Sequence, residues 1–309
     1  ADVSAPFRQG LLAGAANPRL FAKNLGPMYR MLVSEKRYGQ IMQEIAERPS
    51  YGTMLDANLK LTELGELSLR EEQFMSNLAE KLTGGKRGIV RASARAYVGF
   101  LNRMRADLFD HLVGVAHSQG IETPRLRRDI AKFVNVATGR GELGPFEGAA
   151  VVLNTTLFSP RLFASRIAAL NPVFYARLDP FVRKQAVLAM TKLIGAGVTV
   201  LTLAKLNGAQ VNLDPRNANF GKLRVGNTRF DIWGGHQQLV RLFSQVASGE
   251  IVSSTTGKTL RLEGGFSLSR KDIVQRFLEG KLAPTPSLIK DWFQGTDFQG
   301  RPFSWKRAV

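Results

Sequence analysis

Six predicted helix starts in this chain share one signal, a residue with a capping side chain followed directly by proline. The side-chain oxygen of Asn, Asp, Ser or Thr accepts a hydrogen bond from an otherwise unpaired amide of the first helical turn. Proline at the first helical position removes another amide that would lack a partner. A chain that repeats this signal is expected to be mainly helical. The pairs are Asn17-Pro18, Thr123-Pro124, Ser159-Pro160, Asn171-Pro172, Asp179-Pro180 and Thr285-Pro286.

The clearest helix is predicted between Gly88 and Gly120, where apolar residues recur every three or four positions. This period places them on one face, which must be covered by a partner helix. The chain is therefore expected to form a multi-helix bundle. The apolar seam consists of Val90, Ala94, Tyr97, Leu101, Met104, Leu108, Leu112 and Val115.

Other helices follow from the same periodicity and from capping residues. A second long helix is predicted from Asp179 to about Leu206, and Ser269 with Asp272 indicates a capped start for a helix over 271–280. Further helices are predicted over 19–33, 35–48, 69–82, 125–137, 161–170 and 236–247.

The sequence changes character after residue 209. The stretch FGKLRVGNTRFDIWGG alternates and carries Gly226-Asn227, which is typical of a β-hairpin, and a second hairpin is predicted over 251–262. The fold class expected is mainly α, a multi-helix bundle with a small C-terminal segment that contains β-hairpins. We expect a helical body over 1–209 and a smaller mixed α+β segment over 210–309 packed on it.

Composition constrains the partners more than the fold. The 309 residues include 43 Lys and Arg against 25 Asp and Glu, a net charge of +18, with 44% hydrophobic residues that suffice for a core. A folded chain with this excess favours nucleic acid, anionic lipid or an acidic protein as a partner. The lack of cysteine excludes disulfides, thiolate metal sites and a cysteine nucleophile. Because it opens on ADVSAPFRQG, we interpret the chain as a piece of a longer polypeptide.

A row of cations along two predicted helices is the candidate nucleic-acid interface. Arg87, Arg91 and Arg95 step by four residues, so they share one helix face beside the apolar seam. A row of cations binds the phosphates of nucleic acid favourably because neutralising them releases counterions, and this binding needs no readout of base sequence. The alternative interpretation is a solvated helix flank. The candidate residues are Lys86, Arg87, Arg91, Arg95, Arg103, Arg105, Arg125, Arg127, Arg128 and Lys132.

The stretch AVLAMTKLIGAGVTVLTLA, residues 186–204, raises a different partner. Its length and apolar content approach those of a membrane span of roughly 20 residues. Lys192 in its middle favours the alternative, a central buried helix of a soluble domain, because a charge there opposes insertion.

No catalytic, metal or cofactor site is predicted. Gly257-Lys258-Thr259 copies the end of a P-loop, but Val252 occupies the position where that motif needs its first glycine, so a hairpin turn is expected. Asp107, Asp110 and His111 fall within one helical turn and could share a proton or a metal, although a solvated acidic patch is the simpler interpretation. His236, at a predicted helix start, suits a structural role or an anion contact.

Taken as a series, several segments resemble the large polyvalent protein-associated domain of tailed bacteriophages, a module near the end of very long phage and prophage polypeptides. They are ADVSAPFRQG, SLREEQFMSNLAEKL, RASARAYVGFLNRMRADLFD, FVNVATGRGELG, LNTTLFSPRLFASRI, LDPFVRKQAV, FDIWGGHQQLV and SSTTGKTLRLEGGF.

The resemblance implies a setting and no catalytic motif. Polyvalent phage proteins are thought to be packaged in the virion and ejected with the genome. The first hypothesis is consequently a non-enzymatic virion module that contacts phage DNA without sequence specificity and other virion proteins. The alternatives are a membrane-associated conduit component that uses the 179–206 helix, alone or as a homo-oligomer, and a domain of a larger polyvalent enzyme. The implied location is the virion interior, then the host cell envelope or cytoplasm.

Overall fold

Helices dominate the chain in this computed structural model, and the strands it describes are short and antiparallel. The mainly α fold class predicted from the sequence is confirmed. Side chains of the helix that begins at Arg87 are described from Ala92 onward. The structure describes residues 4–62, 87–149, 152–153, 156–157, 159–264 and 268–282, together with Asp291, Phe293 and Arg301.

The predicted helices that fall on described residues are present with bounds within about two residues of those expected. The helices Ala5–Arg8, Leu11–Ala16 and Tyr51–Asp56 were not predicted, and the helix predicted over 69–82 lies outside the described residues. A 3₁₀ helix, Gly144–Ala149, lies between the helices Pro124–Ala137 and Pro160–Leu170. In chain order the elements are α1 (Ala5–Arg8), α2 (Leu11–Ala16), α3 (Pro18–Val33), α4 (Glu35–Ala46), α5 (Tyr51–Asp56), α6 (Arg87–Ser118), α7 (Pro124–Ala137), α8 (Pro160–Leu170), α9 (Pro172–Arg177), α10 (Pro180–Leu206), β1 (Gln210–Val211), β2 (Lys222–Val225), β3 (Thr228–Asp231), α11 (His236–Ser248), β4 (Glu250–Val252), β5 (Thr259–Arg261) and α12 (Arg270–Glu279).

Capping chemistry explains where these helices begin. Asn17 and Thr123 each accept a hydrogen bond at 3.1 Å from the backbone N–H three residues further on, as predicted. Ser159 differs, because its φ is 51° and its side chain makes no capping hydrogen bond, although α8 still begins at Pro160. The predicted pair Thr285-Pro286 lies outside the described residues.

Helix α6 is the centre of the bundle. Helix α3 makes the most extensive contact with it, and α4, α7 and α1 cover further parts of its surface. Leu101, Met104 and Leu108 of the predicted seam are buried, and Phe100 and Phe109 are buried on neighbouring faces of the same helix. The seam was therefore correctly predicted to face partner helices, but the helix is covered on more than that one side.

The C-terminal elements pack on this bundle through α10. Strands β1, β2 and β3 form an antiparallel sheet in that order, and β4 pairs with β5. Val225 lies opposite Thr228, so the first hairpin turns at Gly226-Asn227 as predicted. Helix α10 contacts α2 most extensively and also contacts α7, β1 and β2, so it joins the helical bundle to the sheet.

Candidate functional site

Helix α10 begins at a capping residue followed by proline, and a narrow stripe of its residues is buried. The carboxylate of Asp179 accepts a hydrogen bond from the Phe181 backbone N–H at 2.9 Å, and Pro180 occupies the first helical position. Spacings of three and four residues place the buried residues on the side that faces α2 and α7. The buried stripe is Val182, Ala186, Ala189, Leu193, Gly197 and Leu201.

Trp233, from the C-terminal segment, packs against this stripe. A Cβ atom at Gly197 would lie 2.2 Å from Cη2 of Trp233, so the indole ring fits there only because Gly197 has no side chain. Trp233 Nε1 donates a hydrogen bond at 2.8 Å to the carbonyl oxygen of Gly221. The ring is thus fixed between α10 and the chain that leads into β2.

Outside the buried stripe, α10 is open to solvent and many of its exposed side chains are apolar. Val198 is 52% exposed and Leu203 is 55% exposed. In the most apolar window of α10, with mean hydropathy 1.8, 28% of the residues are buried, and α10 is the one described helix long and apolar enough to cross a membrane. The expectation of a central buried helix is therefore wrong for this part of α10. We define the exposed α10 face as Val187, Leu188, Ile194, Val198, Val200, Leu203 and Leu206.

Cations lie around the exposed α10 face, and acids are absent from the helix. Arg183 and Lys184 lie in its first turns, Lys205 lies in its last turn, and all three are exposed. Lys192 is exposed between them. The residues 180–206 contain no Asp or Glu. The helix therefore combines exposed apolar side chains with exposed cations at both ends and at Lys192, and it carries no acidic residue.

The predicted row of cations on α6 does not form an open surface over its described part. Nη1 of Arg95 lies 3.7 Å from Glu35 Oε2, and Nη1 of Arg103 lies 3.9 Å from Glu44 Oε2. Both arginine side chains are less than one-fifth exposed. Lys86 and the side chains of Arg87 and Arg91 lie outside the described residues.

Arg105 must be removed from the candidate nucleic-acid interface, because it is 1% exposed. Its Nε and Nη2 donate to Oγ1 and the carbonyl oxygen of Thr138 at 2.8 and 3.0 Å, and Nη1 donates to Asn102 Oδ1 at 3.0 Å. Burial, and then the charge of Arg140, hold the pKa of Arg105 well below its ordinary value. A phosphate outside the protein cannot reach this guanidinium.

Helix α7 keeps the accessible part of the predicted interface. Arg125 and Arg128 are exposed. Arg127 and Lys132 are partly buried and lie beside carboxylates, with Arg127 Nε 3.5 Å from Glu122 and Lys132 Nζ 3.3 Å from Glu142. The four cations predicted on α7 thus divide into two that are open and two that are already paired.

The acidic residues Asp107 and Asp110 of α6 form hydrogen bonds with side chains from other parts of the bundle. Asp107 accepts hydrogen bonds from Arg48 at 2.6 Å and from Asn24 at 2.9 Å, and Asp110 accepts one from Arg48 at 2.8 Å. Burial lowers the pKa of Arg48, but the hydrogen bonds and charges of the two aspartates raise it above its ordinary value. His111, the third candidate here, is exposed. Within the part of the chain that the structure describes, no group of three or more acidic or imidazole side chains could hold a metal ion.

The remaining sequence candidates also have structural roles. His236 Nδ1 lies 2.8 Å from the carbonyl oxygen of Trp233, so it is the protonated ring nitrogen, and burial lowers the pKa of the imidazole. Gly257 lies in the turn between β4 and β5, as predicted, rather than in a loop between a strand and a helix. This arrangement cannot wrap a phosphate in the manner of a P-loop.

Comparison with known proteins adds no family assignment: no family model, no curated protein and no solved structure matches the chain. The resemblance to the phage module stays a prediction.

Proposed function

We propose that this chain is a non-catalytic module that associates with anionic membrane surfaces through the exposed α10 face. In the setting that the phage resemblance implies, it would serve as a membrane-associated component of the genome-ejection apparatus. The exposed α10 face carries this proposal, because a folded chain seldom leaves so many large apolar side chains of one helix open to water unless something covers them.

The free energy available from the exposed α10 face corresponds to weak, reversible membrane binding. The seven side chains of the face are between 43% and 77% exposed, so covering each of them contributes roughly 1 kcal/mol. Their sum, roughly 7 kcal/mol, is comparable with the contribution of one myristoyl chain, whose binding constant is about 10⁴ M⁻¹. Lys184 and Lys205 add about 1 kcal/mol each next to an anionic leaflet.

Charge favours a lipid surface over a second copy of the chain as the occupant. Each copy carries a net charge of +18, so two copies repel each other while an anionic leaflet attracts both. The protein side of α10 stays attached to α2 and the sheet. We therefore propose that α10 lies in the plane of the lipid headgroups, with the exposed α10 face turned toward the acyl chains.

Vesicle flotation tests the proposal. The intact chain should float with vesicles of phosphatidylglycerol and phosphatidylcholine, and much less with phosphatidylcholine alone. The double variant Ile194→Ser with Val198→Ser should lose roughly 2 kcal/mol of apolar burial, which lowers vesicle affinity about 30-fold. Serine has a helix propensity close to those of Ile and Val, so α10 should remain folded.

The matched control is Val33→Ser with Val173→Ser, since both valines are exposed and lie on other helices. This control should float like the unmodified chain. Recovery of the unmodified chain only in the soluble fraction would overturn the proposal. A dimer in solution that the α10 variant dissociates would also overturn it and would assign the face to a second copy.

A second candidate function is DNA contact without sequence specificity, favoured by the open cations Arg125 and Arg128 on α7. Changing both to Ala should weaken DNA binding and reduce the slope of log K against log salt by up to about 2. The variant Arg19→Ala with Lys23→Ala, which removes two exposed cations from α3, is the matched control. Equal losses in the two variants would show that net charge, and not α7, determines binding.

A further inference from the structure

A cavity of about 510 Å³ lies where four distant parts of the chain meet. Helix α1 contributes Arg8, α8 contributes Arg166, the start of α11 contributes Gly234 and Gly235, and the chain after α12 contributes Lys281. Its volume falls within the range of sites for small molecules, roughly 300 to 1,000 Å³.

Positive charge converges on this cavity. Among the described residues that line it, Arg8, Arg166 and Lys281 are cationic, against one carboxylate, Asp231. Asp231 is exposed, and its Oδ1 accepts a hydrogen bond at 2.8 Å from the Trp233 backbone N–H. The lining therefore keeps an excess of positive charge in a partly enclosed space, where electrostatic interactions are screened less than at the surface.

The guanidinium of Arg166 is fixed at the wall of the cavity and retains an unused donor. Its Nη2 donates to the carbonyl oxygen of Gly234 at 2.5 Å, whereas its Nε is buried and has no hydrogen-bond partner. Burial, and then the charge of Arg8, lower the pKa of Arg166. Because Nε has no solvent-exposed surface, an anion in the cavity would contact the other guanidinium atoms of Arg166, which line it.

Two glycines bring the backbone against this guanidinium. Gly234 and Gly235 both have positive φ, and a Cβ atom at Gly235 would lie 2.7 Å from Cζ of Arg166. Helix α11 begins immediately after them, without a side-chain cap at its N-terminus. The positive end of the helix dipole therefore lies at the cavity, together with the cationic side chains.

Lys281 also lines the cavity and is held in position. Its Nζ donates to Gln238 Oε1 at 2.7 Å and lies 4.9 Å from the ring centroid of Phe277. Burial, followed by the charges of Arg166 and Arg241, lowers the pKa of Lys281. The cations at this end of the molecule thus destabilise one another, and a shared anion would relieve that repulsion.

We infer that this cavity binds the phosphate group of a small phosphorylated molecule, with Arg166 and Lys281 contacting the phosphate oxygens. The arginine fork matches the geometry of phosphate oxygens, and the lysine contributes a point charge. The volume leaves room for an organic group beyond the phosphate, and Phe7, Leu162 and Phe163 provide apolar lining for it.

Thermal unfolding tests the inference in the absence of vesicles and DNA, so the result does not depend on the proposed function. Inorganic phosphate at 10 mM should raise the Tm of the intact chain by several degrees relative to chloride at equal ionic strength. Calorimetric titration with AMP and with soluble dihexanoyl phosphatidic acid then distinguishes a nucleotide from a lipid as the source of the phosphate.

Lys281→Met should weaken phosphate binding at least 10-fold, since it removes the charge and keeps an apolar stem against Phe277. Lys258→Met removes an exposed charge from the β4–β5 turn, so it should bind phosphate like the unmodified chain. Arg166→Gln provides a second loss-of-binding variant, with its folding checked by circular dichroism. The inference is overturned if phosphate gives no shift beyond that of chloride, or if Lys281→Met and Lys258→Met respond equally.

Discussion

Arg105 shows how one buried cation connects two helices of this bundle. The side chain leaves α6 and reaches Thr138, the residue at which α7 ends, and all three of its described acceptors are uncharged. Its guanidinium has therefore lost its hydration without gaining a carboxylate partner. A planar fork that donates in fixed directions can offset this cost, whereas a single ammonium group cannot.

We expect Arg105→Lys to lower the free energy of unfolding by about 2 kcal/mol or more, because the charge stays buried while hydrogen bonds are lost. Arg105→Met should cost less, since it fills similar volume and removes the buried charge. Urea unfolding followed by circular dichroism measures both values. A lysine variant as stable as the unmodified chain would contradict this account.

Arg105 was predicted to be an accessible cation, although its position along α6 already indicates that it is buried. Residue 105 is four positions after Leu101 and three before Leu108, so it falls on the apolar seam of α6. A cation within such a seam indicates a buried hydrogen-bonded group rather than a contact surface. The partner that satisfies it, Thr138, could not be predicted because it belongs to another helix.

At the scale of elements, start signals and periodicity predicted most described helix bounds to within two residues. The extent of α10 was predicted in this way, since Asp179-Pro180 marks its start and the apolar stretch fixes its length. Which side of α10 faces solvent was not predictable, because apolar residues occur on all its sides and leave no amphipathic pattern to orient it.

Two glycines of α10 offer a direct test of its packing. Gly195→Ala should raise the free energy of unfolding by about 0.5 to 1 kcal/mol, because a Cβ atom there meets open space and alanine favours a helix. Gly197→Ala carries the same propensity gain but pushes a methyl group into the ring of Trp233, so it should be net destabilising. Urea unfolding of the two variants compares them directly. Equal stabilisation would mean that Trp233 does not pack on α10.

At the scale of the whole molecule, helix start signals and periodicity predicted the mainly α class and composition gave the positive charge, but neither showed where surfaces and cavities form. The exposed α10 face was visible as an apolar stretch, although its exposure was not. The cationic cavity left no sequence signal, because Arg8, Arg166 and Lys281 are far apart along the chain and meet only through tertiary packing. Sequence motifs report on neighbours in the chain, whereas this cavity depends on contacts between distant segments.

The exposed α10 face has a consequence for how the chain behaves in salt solutions. We expect the net charge of +18 on each copy to keep copies apart in dilute buffer, even though each carries exposed apolar side chains that could associate. Repulsion of this kind reaches about 10 Å in 0.1 M salt and only about 3 Å in 1 M salt. Concentrated salt should therefore cause the chain to associate and precipitate. If lipid is supplied before salt, the exposed α10 face should bind the lipid instead of a second copy.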